Sequence, residues 1–379
     1  MGALNAGGDV IVVGGGPAGS AAATRLARAG AAVVLIERER LPSAKVCGEF
    51  LSVEACAEAR ELGVDPFALG AAPIDRVRLR WGRASVESEL PFRAASLSRK
   101  RLDGALLDAA EAAGARVERG SRVVALGPRG VRLAGDGRPG GLAARAVVLA
   151  TGKSDVAGIA RAGGHFPDAL GFKMHLALDP RQLDELGTAV ELTLFAGGYA
   201  GMQRIEEGLV AFAFVVRRER YAAAGCWQEL VGRLVRSSAH AARRLAGARE
   251  LWPKPLAISG VPYGFTYREP ARAAPPRAED APLYRIGDQL AVIPSFTGDG
   301  MAIALVTGSC AARAIARGEA PHAFHAAMRA RLALPMRVAG VLSRAIGTPL
   351  GRAALVWPAS VVPAILALAA DRTRISRAE

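Results

Sequence analysis

The chain has 379 residues, 51% of them hydrophobic, and a formal net charge of +14. That length and apolar content suit two domains or one large elaborated one and exclude disorder as the default state. The charge comes from 44 arginines and five lysines scattered along the chain with little aromatic interleaving, which argues against nucleic acid and reads first as an Ala/Arg-rich composition, although a basic surface could still attract an acidic carrier or an anionic membrane.

The first elements occupy Asp9 to Glu37. Val10 to Val13 is a β-branched run, Gly14, Gly16 and Gly19 follow at G-x-G-x-x-G spacing, and an Ala-rich helical pattern runs to Ala29. A second apolar run, Val33 to Ile36, ends at Glu37, 23 positions after Gly14. Strand, tight turn, helix, strand and terminal acid together predict a dinucleotide-binding βαβ unit. Gly14 permits the turn, Gly16 lets the backbone approach a pyrophosphate, and Gly19 lets the helix press on the strand. The phosphates then meet the unpaired N–H groups of the helix N-terminus, where Pro17 costs little because its N–H has no intrahelical use. Glu37 is placed to accept ribose hydroxyls. The N-terminus has no basic stretch followed by a long apolar one, so no secretory leader is expected there.

After Glu37 comes a polar loop, RERLPSAKVCGEFLS, and a helical pattern over Glu54 to Leu62. Residues 74 to 90 alternate in part, with Val77, Leu79 and Trp81 opposite Arg76, Arg78 and Arg80, and predict a strand. Leu102, Leu106, Ala109 and Ala113 mark one face of a helix that Gly114 stops. Val123 to Leu126 and Val147 to Ala150, ending in Thr151-Gly152, read as further layers of the nucleotide domain. From Phe172 the period becomes two: Phe172, Met174, Leu176 and Leu178 alternate with Lys173, His175 and Ala177. Strand patterns continue to Val216, which predicts an antiparallel meander inserted into the first domain. A Pro/Ala-rich connection at 269 to 282 precedes a strand at Leu283 to Ile286 and a glycine-rich turn into an apolar helix, PSFTGDGMAIAL.

GGGPAG with Glu37, SRKRLD at 98 to 103, VVLATG at 147 to 152, and GD followed by PSFTGDGMAIAL at 287 to 305 resemble flavoprotein oxidoreductases of the p-hydroxybenzoate hydroxylase fold. KVCGEF at 45 to 50 is more similar to geranylgeranyl reductase-like and halogenase-like members, including flavin monooxygenases that mature peptides or tailor natural products. The resemblance implies an α/β chain, α+β overall: a Rossmann-type FAD-binding domain, an inserted antiparallel β-sheet substrate domain and a helical C-terminal segment. The expected pieces are 1–73, 98–165 and 283–325 for FAD, 74–97 and 166–282 for substrate, and 326–379 at the C-terminus. It also implies that Gly14, Gly16, Pro17, Ala18, Gly19, Glu37, Arg38, Thr151 and Gly152 surround the dinucleotide. Arg99 would contact the cofactor from a helix start, Val124 would flank the adenine, and Asp288 would bond the ribitol or pyrophosphate region. Gly298, Gly300 and Met301 would bring a helix N-terminus to the pyrimidine edge of the flavin, where negative charge on the reduced ring is favoured. Lys45 and Cys47 would sit beside the isoalloxazine as catalytic candidates, with His175 and Tyr199 as weaker candidates on the substrate face.

The chain departs from the family in two places. Gly152-Lys153 stands where aromatic hydroxylases have Asp-Gly, a usual NADPH contact. The turn GGYAGMQRIEEG lacks both the tryptophan-rich motif of halogenases and the aromatic motif of prenyl reductases. The expected reaction is hydroxylation of a hydrophobic small molecule or natural-product intermediate, in which reduced flavin would react with oxygen and an enclosed site would protect the resulting hydroperoxide from water. Reduction of a carbon–carbon double bond in an isoprenoid-like substrate is the alternative, and a non-enzymatic flavin-binding protein the third reading. NAD(P)H, another external reductant or an electron-donor protein would supply electrons. NAD alone is the runner-up ligand.

No metal is expected: Cys47, Cys56, Cys226 and Cys310 form no C-x-x-C pair, and His322 and His325 lack a third ligand. Reduced thiols point to the cytoplasm. ATGKS lacks the first glycine of a phosphate-binding P-loop, and no nucleophile elbow is present. At the C-terminus, Ala353 to Ala370 is apolar but interrupted by Pro358 and Pro363, with Arg372, Arg374 and Arg377 following. A broken helical cap over the substrate cavity is the first reading. Peripheral membrane contact through 353–379 is the alternative.

Overall fold

The computed structural model describes residues 9–127, 129–135, 141–159, 161, 163–164, 168–269 and 280–375. Most of the Pro/Ala-rich connection and Arg377 lie outside the described residues. The nucleotide-binding unit is built on a five-stranded parallel sheet in the order Leu283–Arg285, Ala146–Leu149, Val10–Val13, Val33–Glu37, Arg116–Arg119. Its central strands are buried on both faces, which is why they read as unbroken apolar runs rather than as alternation. Helix Pro17–Arg28 covers one face, and helix Gly300–Ala316 lies against that helix. Small residues permit the approach: a Cβ on Gly308 would stand 2.2 Å from the Ala18 carbonyl oxygen.

The antiparallel part is a nine-stranded sheet. Its meander runs through Ala189–Phe195, Gly198–Arg204 and Val210–Arg217 to Ala169–Ala177. The long strands Ala72–Trp81 and Ala84–Ser96 extend it, the first joined to Ala189–Phe195 by a parallel pairing; Phe50–Leu51 pairs with the second, and Arg249–Glu250 and Leu256–Ser259 pair with Ala169–Ala177. The loop leaving the nucleotide unit is thus stitched into the second sheet. The chain is α/β with an added antiparallel sheet and C-terminal helices, the fold class that the sequence patterns imply.

Val123–Gly127 pairs with Gly130–Leu133 in a three-stranded sheet whose Val131, Leu133 and Leu142 pack on Ile11, Val13, Val147 and Leu149, a further layer on the parallel sheet. Two sequence expectations need correction. In Ala169–Ala177 both faces are covered, not one. Phe172, Met174 and Leu176 join Phe212, Phe214 and Trp227 in an aromatic-rich cluster, and Lys173 and His175 on the opposite face are buried too. The cluster is closed by helices that the strand pattern hid, among them Trp227–Ser237, whose Trp227, Leu230 and Leu234 fall at helical spacing. Pro358 lies inside helix Pro349–Val361, and the interruption falls at Val362–Pro363 instead. Position 358 faces solvent, so water can satisfy the carbonyl that the missing N–H leaves.

Helices Pro321–Ile346, Pro349–Val361 and Ala364–Arg372 close the chain. Val356 and Ala359 seat the second of them on Leu79 and Val86 of the long strands. Among the described residues no helix is long and apolar enough to cross a membrane.

Candidate functional site

A cleft of about 820 Å³ opens at the carboxyl ends of the parallel strands, where the connections of an open α/β sheet diverge and leave room for a ligand. Gly14, Gly16, Pro17, Ala18, Glu37, Arg38, Lys45, Cys47, Arg99, Val124, Thr151, Gly152, Asp288, Gly298, Gly300 and Met301 all line it. Gly19 stands behind the wall.

The three glycines of the first turn differ in what surrounds them. Gly14 has φ +105°, a left-handed conformation, and a Cβ there would lie 2.5 Å from the Ala150 carbonyl oxygen. A Cβ on Gly19 would stand 1.9 Å from the Gly14 carbonyl oxygen, so the helix packs directly on the turn. At Gly16 the nearest atom to a Cβ is the Arg99 guanidinium at 3.7 Å, and the space belongs to the cleft. The Glu37 carboxylate accepts hydrogen bonds from the backbone N–H of Gly15 at 2.7 Å and of Glu39 at 2.9 Å, which fixes it at the strand end.

Two helix N-termini face this cleft, at Gly16 and at Asp299-Gly300, and neither has a side-chain cap. Their first-turn N–H groups and dipole ends form a setting for negative charge. Asp299 is not a cap because its carboxylate takes the Arg374 guanidinium at 3.1 Å and the Ile375 N–H at 2.9 Å. Burial pushes its pKa up to about 7 against the pull of Arg374. Arg374 and Ile375 are thereby anchored under the helix that borders the cleft.

Arg99 begins helix Arg99–Ala112 and forms a paired contact with Asp103 at 2.7 and 2.8 Å. It is 16% exposed rather than a solvated surface arginine. Burial works to lower its pKa, but Asp103 and Cys47 outweigh that and raise it, which keeps a fixed positive charge on the cleft wall. Lys45 and Cys47 occupy a loop held from several sides. Lys153 donates to the Val46 carbonyl at 2.7 Å, and Gln203 donates to the Gly48 carbonyl at 2.9 Å.

The strongest of these ties is at Glu49, which the sequence reading did not single out. Glu49 is fully buried, lines the cleft and has φ +65°, a conformation that costs a non-glycine residue about 1 kcal/mol or more. Its carboxylate ion-pairs with the buried Lys173, contacts His175 Nε2 at 2.8 Å and accepts the Arg99 N–H at 2.8 Å. Burial acts to raise the Glu49 pKa, and the Lys173 and His175 charges reverse it, so the carboxyl is held below its usual range. His175 therefore supports the loop from behind and does not line the cleft.

The cleft lining also includes the apolar residues Val46, Phe50, Ala257, Ile258, Val292 and Ile293. Tyr199 lies in a small cavity of about 60 Å³ that shares Tyr263 and Ser295 with the cleft. The Tyr199 hydroxyl meets Ser295 Oγ at 2.7 Å, and Ser295 Oγ donates to the Tyr263 hydroxyl at 3.3 Å. Burial, with Tyr263 close by, raises the Tyr199 pKa, so its hydroxyl stays protonated. Tyr263 was not predictable, since it joins the site through long-range packing, and Ser295 lay within the PSFTGDGMAIAL motif without being singled out. Elsewhere, His325 contacts Glu269 at 2.8 Å and accepts the Arg285 N–H at 3.0 Å, whereas His322 is exposed. Among the described residues no group of three or more His, Cys, Asp or Glu side chains could hold a metal.

Residues 8–132 match the family described as FAD binding domain. The chain carries an FAD-binding domain. The glycine turn, two uncapped helix N-termini and Glu37 suit the pyrophosphate, the flavin edge and a ribose of that cofactor. The chain is 39% identical over 128 residues to the menaquinone reductase of Mycobacterium tuberculosis, a match covering 31% of this chain and 30% of that protein. The chain thus spans about a third of the length of that relative. Over nearly its whole length it shares the fold of the flavin-dependent brominase Bmp2, with a TM-score of 0.76, 19% identity and coverage of 97% of this chain and 94% of that one. A geranylgeranyl bacteriochlorophyll reductase-like protein of Thermoplasma acidophilum gives a TM-score of 0.71 at 20% identity, covering 97% and 93%. The fold is that of the p-hydroxybenzoate hydroxylase type, and likeness at this identity speaks to the fold alone.

Proposed function

We propose that the protein is an FAD-dependent oxidoreductase that reduces a carbon–carbon double bond in a hydrophobic, isoprenoid-like small molecule. The observation that carries this reading is the apolar lining that shares one cleft with the FAD cradle. A lipophilic ligand gains by burial there, and the Tyr263 and Ser295 hydroxyls orient a polar end. The likeness to a menaquinone reductase supports reduction ahead of hydroxylation, the order opposite to that expected from the missing prenyl-reductase motif.

The bound cofactor would supply two-electron chemistry: a hydride goes to one carbon, a proton to its neighbour, and NAD(P)H or a reduced electron carrier replaces the electrons. The chain's own contribution is positional and electrostatic. Arg99 and the two helix N-termini balance negative charge, Glu49 holds the Lys45–Cys47 loop against the cleft, and Lys45 places a cation on its wall. Hydroxylation is the second reading, favoured by the loop's multiple ties, which limit water access. Anaerobic single-turnover oxidation of the reduced protein by a polyprenyl substrate separates the two. Reoxidation with a product heavier by two hydrogens supports the reductase. Turnover only with oxygen, with oxygen gained by the product, overturns it. Lys45→Met should slow turnover without releasing FAD; an unchanged rate removes Lys45 from the reaction.

A further inference from the structure

The three C-terminal helices pack on one another, and each shows apolar side chains to solvent at helical spacing. On Pro321–Ile346 the exposed residues Leu334, Arg337, Val341 and Arg344 recur three and four apart. On Pro349–Val361 they are Leu350 at 85%, Ala354, Trp357 at 69% and Val361 at 81% exposure. On Ala364–Arg372 they are Ile365, Leu368 and Arg372. Val362 and Pro363 between the last two helices are exposed as well. Scattered exposed apolar residues are ordinary, but a run of large ones on consecutive elements marks an interaction surface.

Charge chooses the occupant. Residues 320–370 contain five arginines, of which Arg352 is buried, and no aspartate or glutamate, and the exposed Asp371 is the single acid on the 334–372 face beside the exposed Arg337, Arg344 and Arg372, whereas the chain as a whole carries 35 acidic residues. A second copy of the chain would bring the same cations against these, and an ordinary protein surface offers no reason for an acid-free stretch of this length. An anionic bilayer meets both features: its interface takes apolar side chains and tryptophan, and its headgroups take arginine. No described helix can span a membrane, so the helices would lie on the surface. We infer that the outer face of 334–372 docks on anionic lipid. The same end of the molecule holds the small cavity beside the cleft, whose lining includes Ile346 and Gly347, three residues before Leu350. Docking there brings the substrate side of the cleft close to a lipid phase. The inner face is structural, because Arg374 and Ile375 return to Asp299, so membrane contact and a helical cap are two sides of one segment.

The inference is independent of the reaction, since binding is read without turnover. Full-length FAD-loaded protein is floated with phosphatidylglycerol/phosphatidylcholine vesicles and with phosphatidylcholine alone. The expected result is flotation with the anionic vesicles, weakened by added salt, and a loss of roughly tenfold or more in affinity for W357S/V361S, as two interfacial apolar side chains would give. Both substitutions lie on solvent-facing positions, and flavin content reports that the variant is folded. R337E/R344E, on a different helix, should lose anionic-vesicle binding by itself. Intact protein that stays unbound on anionic vesicles overturns the inference. So does a dimer in light scattering that W357S/V361S makes monomeric, which would assign the face to self-association.

Discussion

The turn of Gly14 to Gly19 holds its shape with backbone alone, whereas the junction around Glu49 holds its shape with three buried ionisable side chains from distant parts of the chain. At the turn the constraints are steric and local: absent Cβ atoms make room for carbonyls and for a ligand. At the junction, Glu49 in a left-handed conformation, Lys173 and His175 each exact a cost that the others offset. A glycine pattern can be recognised from spacing because no partner has to be found. A buried charge can be recognised only when its partner is known to arrive, and here the partner strand begins about 120 residues later.

The largest effect is expected at Gly19. Gly19→Val places atoms inside the Gly14 carbonyl, and backbone cannot move aside as a flexible side chain would. The outcome should be no soluble flavin-loaded protein, a loss comparable with the whole stability of a domain, ~5–15 kcal/mol; recovery of folded protein with flavin bands would remove the close approach.

Next comes Lys173→Met, which leaves the Glu49 carboxylate buried without its ion pair. A cost of about 3–5 kcal/mol is expected from urea unfolding at neutral pH. The pair Glu49→Gln with Lys173→Met should recover much of that, because no uncompensated charge remains. If the double variant is as unstable as the single, the ion pair is not what the junction depends on.

The site's legibility follows the same division. Gly14, Gly16, Glu37 and the turn at Gly298 to Met301 could be read because each sits in a short stretch whose spacing has a steric or dipolar reason. Lys173 read only as part of the second face of an alternating strand and His175 as a weak candidate for the substrate face, since alternation reports period but not what covers each face. Glu49 lay within a recognised motif, but only the fold shows that its side chain turns inward. Helix Trp227–Ser237 was hidden for another reason: a short amphipathic helix inside a run of strands gives too few turns to outweigh its neighbours. Pro358 misled because its exposure, which makes it tolerable, is a tertiary property.

A smaller effect, in pH, separates two buried carboxyls of opposite sign. Glu49 is held below the usual range, so its contribution is present above the unfolded value of about 4.3 and is lost as pH falls through the folded one. Asp299 is pushed up to about 7, so its contribution is full below an unfolded value near ~3.9 and is lost as pH rises through 7. Thermal melts should therefore show Glu49→Gln flattening the acid limb and Asp299→Asn flattening the slope toward pH 7. A swap of the two limbs would contradict the assigned environments.

The cradle itself is tested most directly by titrating FAD into apoprotein of the wild type and of Gly16→Val. Gly16 has an extended φ of −73° and only cleft space around its missing Cβ, so the variant should melt close to the wild type. Its side chain would, however, occupy the place where the pyrophosphate approaches. Wild-type protein should take up FAD and show flavin absorption bands, and Gly16→Val should bind it about a hundredfold more weakly or worse, the factor given by ~2.8 kcal/mol of lost contact. Equal FAD affinity in the two proteins, or a wild type that binds NAD tightly and no FAD, would contradict the account.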